Sequence, residues 1–270
     1  MNVLLIILAV VVFIVIIIKI AKKGERNDLV TPNGMLAVPD DIINIREGMF
    51  KEKQIKTLLI RDNVETIGDE AFADNLIESV GIGENVRSIG TRSFVGNQLK
   101  SIHFPDKLKS IGDAAFAKNQ IKNLSIEHVE IISRGAFAEN MISDLAIGLL
   151  SSSEVKVIGE GAFMKNKLTD LFVNAVSIES LAFAYNFIKE VHIGEKVNKI
   201  GGSAFFGNPI EKIIIGNNVE IDISAFLLGT TGNNIPVFNK GHNFFDFYNT
   251  NNKIAGLYTL NESGWKYDGE

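Results

Sequence analysis

A phenylalanine returns at an almost constant interval through most of this 270-residue chain, at Phe50, Phe72, Phe94, Phe116, Phe137, Phe163, Phe183, Phe205 and Phe226. The steps between them are 22, 22, 22, 21, 26, 20, 22 and 21 residues. Five residues before each stands an isoleucine: Ile45, Ile67, Ile89, Ile111, Ile132, Ile158, Ile178, Ile200 and Ile221. Three residues after it comes Asn75, Asn97, Asn119, Asn140, Asn166, Asn186 or Asn208, with Lys53 and Gly229 at that place in the terminal rungs. Self-similarity at this period implies a solenoid, because one such unit cannot bury its apolar face alone and stacking builds a continuous core. One elongated domain follows, in place of the one or two compact domains that length alone suggests.

The rest of each repeat supplies the cross-section. The block seen as LKSIHF at 99–104, IKNLSI at 121–126 and IKEVHI at 188–193 has apolar residues in its first, fourth and sixth places. Its last three places alternate, which predicts a short strand with the fourth and sixth side chains inward. The inward columns are then Leu58, Val80, Ile102, Leu124, Leu145, Leu171, Val191, Ile213 and Ile60, Ile82, Phe104, Ile126, Ile147, Val173, Ile193, Ile215. These strands are expected to stack in parallel. Gly68, repeated as Gly90, Gly112, Gly159 and Gly201, marks a turn too tight for a β-carbon. Ala71 and Phe72 supply a small and a large filler on the outer arc, so the phenylalanines form a spine. Asn75 and its equivalents are expected to satisfy the turn's backbone and chain into a ladder.

LAVPDDIINI at 36–45 matches IHFPDKLKSI at 102–111, three periods on, so the solenoid starts near Leu36. Eight steps of about 4.8 Å give a stack of ~38 Å. The long 26-residue step holds LLSSSE at 149–154, read as a bulging loop. Solenoids need covered ends. A charged linker over 21–35 is the amino-terminal candidate, with repeats over 36–229 and a cap over 230–270. In that cap AGLYTL and GWKYD flank NES as a β-hairpin, preceded by the aromatic cluster Phe244, Phe245, Phe247 and Tyr248, read either as cap packing or as an exposed binding patch.

The amino terminus, MNVLLIILAVVVFIVIIIKI, has sixteen unbroken apolar residues from Val3 to Ile18. With Lys19 snorkelling, this predicts a single-pass transmembrane helix over 1–20 that holds the protein to the membrane through residues 3–20. No basic segment precedes it and no small-x-small cleavage site follows, which argues against a removed signal peptide. Lys19, Lys22, Lys23 and Arg26 follow the run and favour a cytoplasmic repeat domain. The chain has no cysteine, which excludes disulfides and thiolate chemistry, and its net charge of -5 with scattered lysines and arginines gives no footprint for nucleic acid.

The combination of IGxxAFxxN with the strand block resembles the BspA-type leucine-rich repeat of bacterial and protist surface proteins, over residues 36–229. NNKIAGLYTLNESGW also resembles a short segment that often follows such repeats, with Leu257 in place of the usual threonine. The resemblance implies a right-handed solenoid with parallel strands on its concave side, and an adhesin or surface antigen that binds other proteins. It favours a cell-surface location, against the flanking lysines. Many relatives carry cleavable export signals, whereas this chain reads as retaining its apolar segment.

Candidate chemistry is sparse. His103 and His192 occupy the same outward place four rungs apart, roughly 19 Å, too far for a shared metal or proton relay. Asp144, Asp170 and Glu190 stand one place before the inward residue of adjacent rungs, which predicts carboxylates stacked at about 5 Å. Thr57, Ser79, Ser101 and Asn123 continue that column on one side and Lys212 on the other, so a solvated polar column is the alternative. The glycines are explained by turns, and no phosphate loop or metalloprotease motif is present. No cofactor, metal or small-molecule substrate is expected, and no enzyme.

The outward strand column reads Ala37, Leu59, Gly81, His103, Ser125, Ala146, Phe172, His192 and Ile214. Phe172 and His192 are adjacent there and suit an anchor for a protein ligand, with the acidic column beside them. The expected function is protein binding or adhesion through the concave face. A scaffold at the cytoplasmic face of the membrane is the alternative, and a carbohydrate-active enzyme using Asp144 and Asp170 a third reading.

Overall fold

The computed structural model describes residues 29–148, 155–226, 244–261 and 264–269. Outside these lie the apolar run from Val3 to Ile18, the LLSSSE segment, Gly229 and most of the charged linker. Among the described residues no helix is long and apolar enough to cross a membrane. All but one of the repeats place a longer strand on one side of the coil and a two-residue strand on another, then close through a turn-rich arc that carries the phenylalanine.

One sheet is continuous. Nine two-residue strands, from Asn44–Ile45 to Glu220–Ile221, pair in sequence order. Ile45 pairs with Ile67, Ile67 with Ile89 and Ile89 with Ile111 in parallel register, so the nine isoleucines form one buried column. Strands this short carry no alternation that a sequence pattern can reveal, and the sheet was not anticipated.

The other sheet holds the expected longer strands, and it is split. Met35–Ala37, Thr57–Leu59 and Ser79–Gly81 form a three-stranded sheet. Asn123–Ile126, Asp144–Ile147, Asp170–Val173, Glu190–Ile193 and Lys212–Ile215 form the parallel part of a seven-stranded one. Between them, Ser101 to Phe104 contributes only a bridge from Ser101 to Asn123. The chain differs here by a proline. Gly194 donates to Val173 O at 2.8 Å and Gly148 to Ile126 O at 3.2 Å, each reaching back one rung. The equivalent donor to Ile82 would be the amide of Pro105, which has no N–H. Phe104, the aromatic member of its column, sits edge-on to Phe116 and Phe137 at 5.5 and 6.1 Å instead.

The phenylalanines stack from Phe50 to Phe226 with centroid separations of 4.8 to 5.5 Å and interplanar angles of 6 to 20°. All but the last of these distances exceed the spacing of hydrogen-bonded strands, which gives the offset that aromatic quadrupoles prefer. Seven asparagines, all buried, tie the rungs together. Asn119 accepts from Leu99 N at 3.1 Å and donates to Phe94 O and Phe116 O at 2.9 and 3.1 Å. Asn75, Asn97, Asn140, Asn166, Asn186 and Asn208 repeat the pattern. Each amide therefore joins carbonyls of its own arc and the preceding one.

Beside the spine runs a column of alanines, interrupted by Ser93, which is fully buried and whose hydroxyl has no hydrogen-bond partner. Ser93→Ala is expected to stabilise the fold by about 1 kcal/mol, since an unsatisfied buried donor is removed at little cost in packing. A rise in thermal midpoint checks this.

Gly112 is demanded by its neighbour: a β-carbon there would stand 2.6 Å from Thr91 N and 2.7 Å from Gly90 C, in the preceding arc. Positive φ lies elsewhere. The residue two places after the phenylalanine is left-handed in each of eight arcs: Glu52, Asp74, Gly96, Lys118, Glu139, Lys165, Tyr185 and Gly207.

The carboxyl end closes with a helix that the aromatic composition did not suggest, Phe244–Thr250, and a hairpin of Gly256–Asn261 and Gly264–Gly269. Phe244 meets Phe226 edge-on at 5.0 Å and ends the spine, while Tyr248 Oη donates to Gly216 O at 2.7 Å. Phe244 and Tyr248 are buried with Tyr258 and Trp265, and Phe245 and Phe247 pack partly against the same core. The cluster is cap packing. At the other end, Thr31 N donates to Met35 O at 2.9 Å and its hydroxyl accepts from Met35 N at 2.9 Å, folding a turn onto the first strand.

Candidate functional site

On the longer strands, alternation points every second side chain away from the core, and register decides which of these meet. Asp170 pairs with Glu190, Leu171 with Val191, Phe172 with His192 and Val173 with Ile193. The rings of Phe172 and His192 lie 4.8 Å apart at 74°, edge to face. His192 pairs in turn with Ile214, and Ile214 with Leu257 of the hairpin. Phe172, His192, Ile214 and Leu257 thus run side by side across four strands. Leu257 was missed from sequence because its partner lies 43 positions away and antiparallel.

Partial burial holds His192 below the usual imidazole range, because the charged form loses hydration there. At neutral pH the stripe therefore carries no charge. Phe172 is half-buried, and His192 and His103 are exposed. His103 lies in the segment between the two parts of the sheet, apart from the stripe. Ala37 departs from the expected outward column: it is 5% exposed, although its register partner Leu59 is exposed.

The acidic column is not continuous. Asp144 pairs with Asn123, and its strand meets the next one only at Ile147 and Val173, so Asp144 and Asp170 are not register partners. Asp170 accepts from Thr169 Oγ1 at 3.0 Å, and Glu190 pairs with Lys212 Nζ at 3.0 Å. That pair links neighbouring rungs, as do Lys51 with Glu70, Lys100 with Glu78 and Lys156 with Glu130. Of the three carboxylates, Asp170 and Glu190 are register partners, with Glu190 held by Lys212, while Asp144 belongs to a strand that meets theirs only at its far end. Among the described residues no group of three or more potential metal ligands comes together.

A parallel coil with a stacked phenylalanine spine and buried asparagines defines a leucine-rich-repeat protein. The chain belongs to the family described as the BspA type leucine rich repeat region, whose six-copy pattern matches residues 35–143 and 149–231. Similar solved structures include a leucine-rich repeat protein from Bacteroides ovatus, at 24% identity and TM-score 0.49, covering 74% of this chain and 61% of that one. This chain therefore spans about three-fifths of that relative's length. The pneumococcal vaccine antigen PcpA matches at 16% identity and TM-score 0.41, over 74% of this chain and 76% of that one. A leucine rich cell surface protein from Faecalibacterium prausnitzii matches at 15% and 0.34, over 70% of each. No curated protein matches the chain.

Proposed function

We propose that this protein binds another protein through the concave strand face of its solenoid, without catalysis, while residues 3–20 hold it to a membrane. The observation that carries this reading is the uncharged stripe of Phe172, His192, Ile214 and Leu257 on register-paired strands. Asp144, Asp170 and Glu190 border it, which supplies the polar rim that interfaces place around an apolar centre. Aromatic side chains fixed on strands make good anchors, since little conformational freedom is lost on binding.

The test is capture of a cross-linked partner by the intact chain, compared with Phe172→Ser/His192→Ser. Loss of capture at an unchanged melting temperature is expected; undiminished capture overturns the site. Capture through His192 is also expected to weaken on acidification below the ordinary histidine range. The folded pKa is depressed, so the stripe stays neutral until protonation there brings in a charge that an apolar partner disfavours. A pH series comparing the parent with His192→Gln isolates this effect.

A scaffold at the cytoplasmic face is the second reading, favoured by Lys19, Lys22, Lys23 and Arg26 after the apolar run. Reporter fusions at the carboxyl end distinguish the two. An outward repeat domain supports adhesion, and an inward one supports the scaffold.

A further inference from the structure

A second surface lies away from the strand face, at the corner where the buried asparagines sit. Tyr185 occupies the left-handed place two residues after its spine phenylalanine, with φ of 57°. The other seven described arcs fill that place with a charged residue or glycine. A tyrosine there is strained and gains little burial, being 49% exposed. Its ring is nonetheless braced: it meets Phe206 at 5.3 Å and 84°, and a β-carbon on Gly207 would stand 3.0 Å from its Cδ1. Phe187, the residue after buried Asn186, is 52% exposed.

The preceding arc places Lys165 in the column of Tyr185 and Lys167 in the column of Phe187. Lys167 Nζ lies 5.0 Å from the Phe187 ring centre. Neither lysine has a carboxylate partner among the described residues. Two exposed aromatic rings, with two surface lysines at the same places of the preceding arc, form a platform that the arcs do not need in order to fold, since the others close without it.

We infer that this platform is a docking site for an acidic polypeptide segment that carries an aromatic or large aliphatic side chain. The charge selects anions, and the rings supply an apolar seat. A sugar chain fits less well, because the planar polar side chain between the rings, Asn186, is 4% exposed and spends its amide on Leu168 N, Phe163 O and Phe183 O.

The experiment is titration of the intact protein with a random copolymer of glutamate and tyrosine, with polyglutamate and heparin as comparisons. The copolymer is expected to bind more tightly than either and to weaken with salt. Tyr185→Ser/Phe187→Ser is expected to weaken copolymer binding at least tenfold, and Lys165→Glu/Lys167→Glu, fully on the surface, to do the same. Phe172→Ser/His192→Ser should leave it unchanged, so failure here and failure of the strand face are told apart. Copolymer binding that survives both platform variants overturns the site, and so does no binding at low salt. Heparin bound more tightly than the copolymer and lost in both variants overturns the peptide assignment.

Discussion

Asn119→Ala is expected to remove about 3–5 kcal/mol of stability, because it strands Leu99 N, Phe94 O and Phe116 O in a buried corner. Asn119→Asp is expected to cost more at neutral pH. The carboxylate still accepts from Leu99 N, but it faces two carbonyl oxygens where the amide donated, and it is a buried charge. That burial raises the folded-state pKa of the new carboxyl above its unfolded value. As pH rises, the unfolded state loses the proton first and the deficit grows, whereas acidification narrows the gap to the parent. Urea unfolding of parent, Asn119→Ala and Asn119→Asp across pH measures all of this. An Asp variant as stable as the parent at neutral pH would mean that the corner is wet. A defect in the fourth rung also uncouples the stacks on either side, so probes at the two ends should report separate transitions.

The second large effect lies in the spine. Phe116→Ala is expected to cost about 3–5 kcal/mol, since it empties a site between two stacked rings with a third edge-on. Phe50→Ala, at the first rung, is expected to cost clearly less. Among the described residues Phe50 stacks on one ring only, and it lines an opening of about 410 Å³ with Leu29, Val30 and Met49, so it leaves less of an enclosed cavity. Denaturant midpoints of the two variants give the comparison; equal losses would argue against a spine that shares its energy between neighbours.

The solenoid and its parallel stacking could be read from the chain because every arc repeats the same steric problem and solves it with an isoleucine, a phenylalanine and an asparagine at fixed offsets. The split of the longer-strand sheet was not legible in this way: Pro105 has no donor for Ile82 O, but Leu59 and Gly81 pair without the equivalent bond from Gly83 to Ile60 O. The helix Phe244–Thr250 escaped because its aromatic residues obey no repeat period and find their partners in the last rung and the hairpin. For the candidate site, Phe172 and His192 follow from counting, since equal offsets in adjacent rungs mean register. Asp144 and Asp170 have equal offsets, yet the ladder between their strands closes only at Ile147 and Val173, a gap that counting does not reveal. Tyr185 stands in a column of charged residues and glycines, and Phe187 in a mixed one that also holds Gln54, Leu76 and Met141, so neither breaks a repeat pattern visible in the chain.

The seam beside Pro105 has a mechanical meaning. Over most of the stack, neighbouring turns are riveted along both sheets and through the spine; between Gly81 and His103, the rivets along the longer strands are missing altogether while Ser88 still pairs with Ser110 and Phe94 still stacks on Phe116. A rod fastened along all but one side bends most easily about the intact side. Compliance therefore gathers at one station of an otherwise stiff stack, and the gap between the outward residues of the first three turns and those from Phe172 onward is the dimension that such bending adjusts.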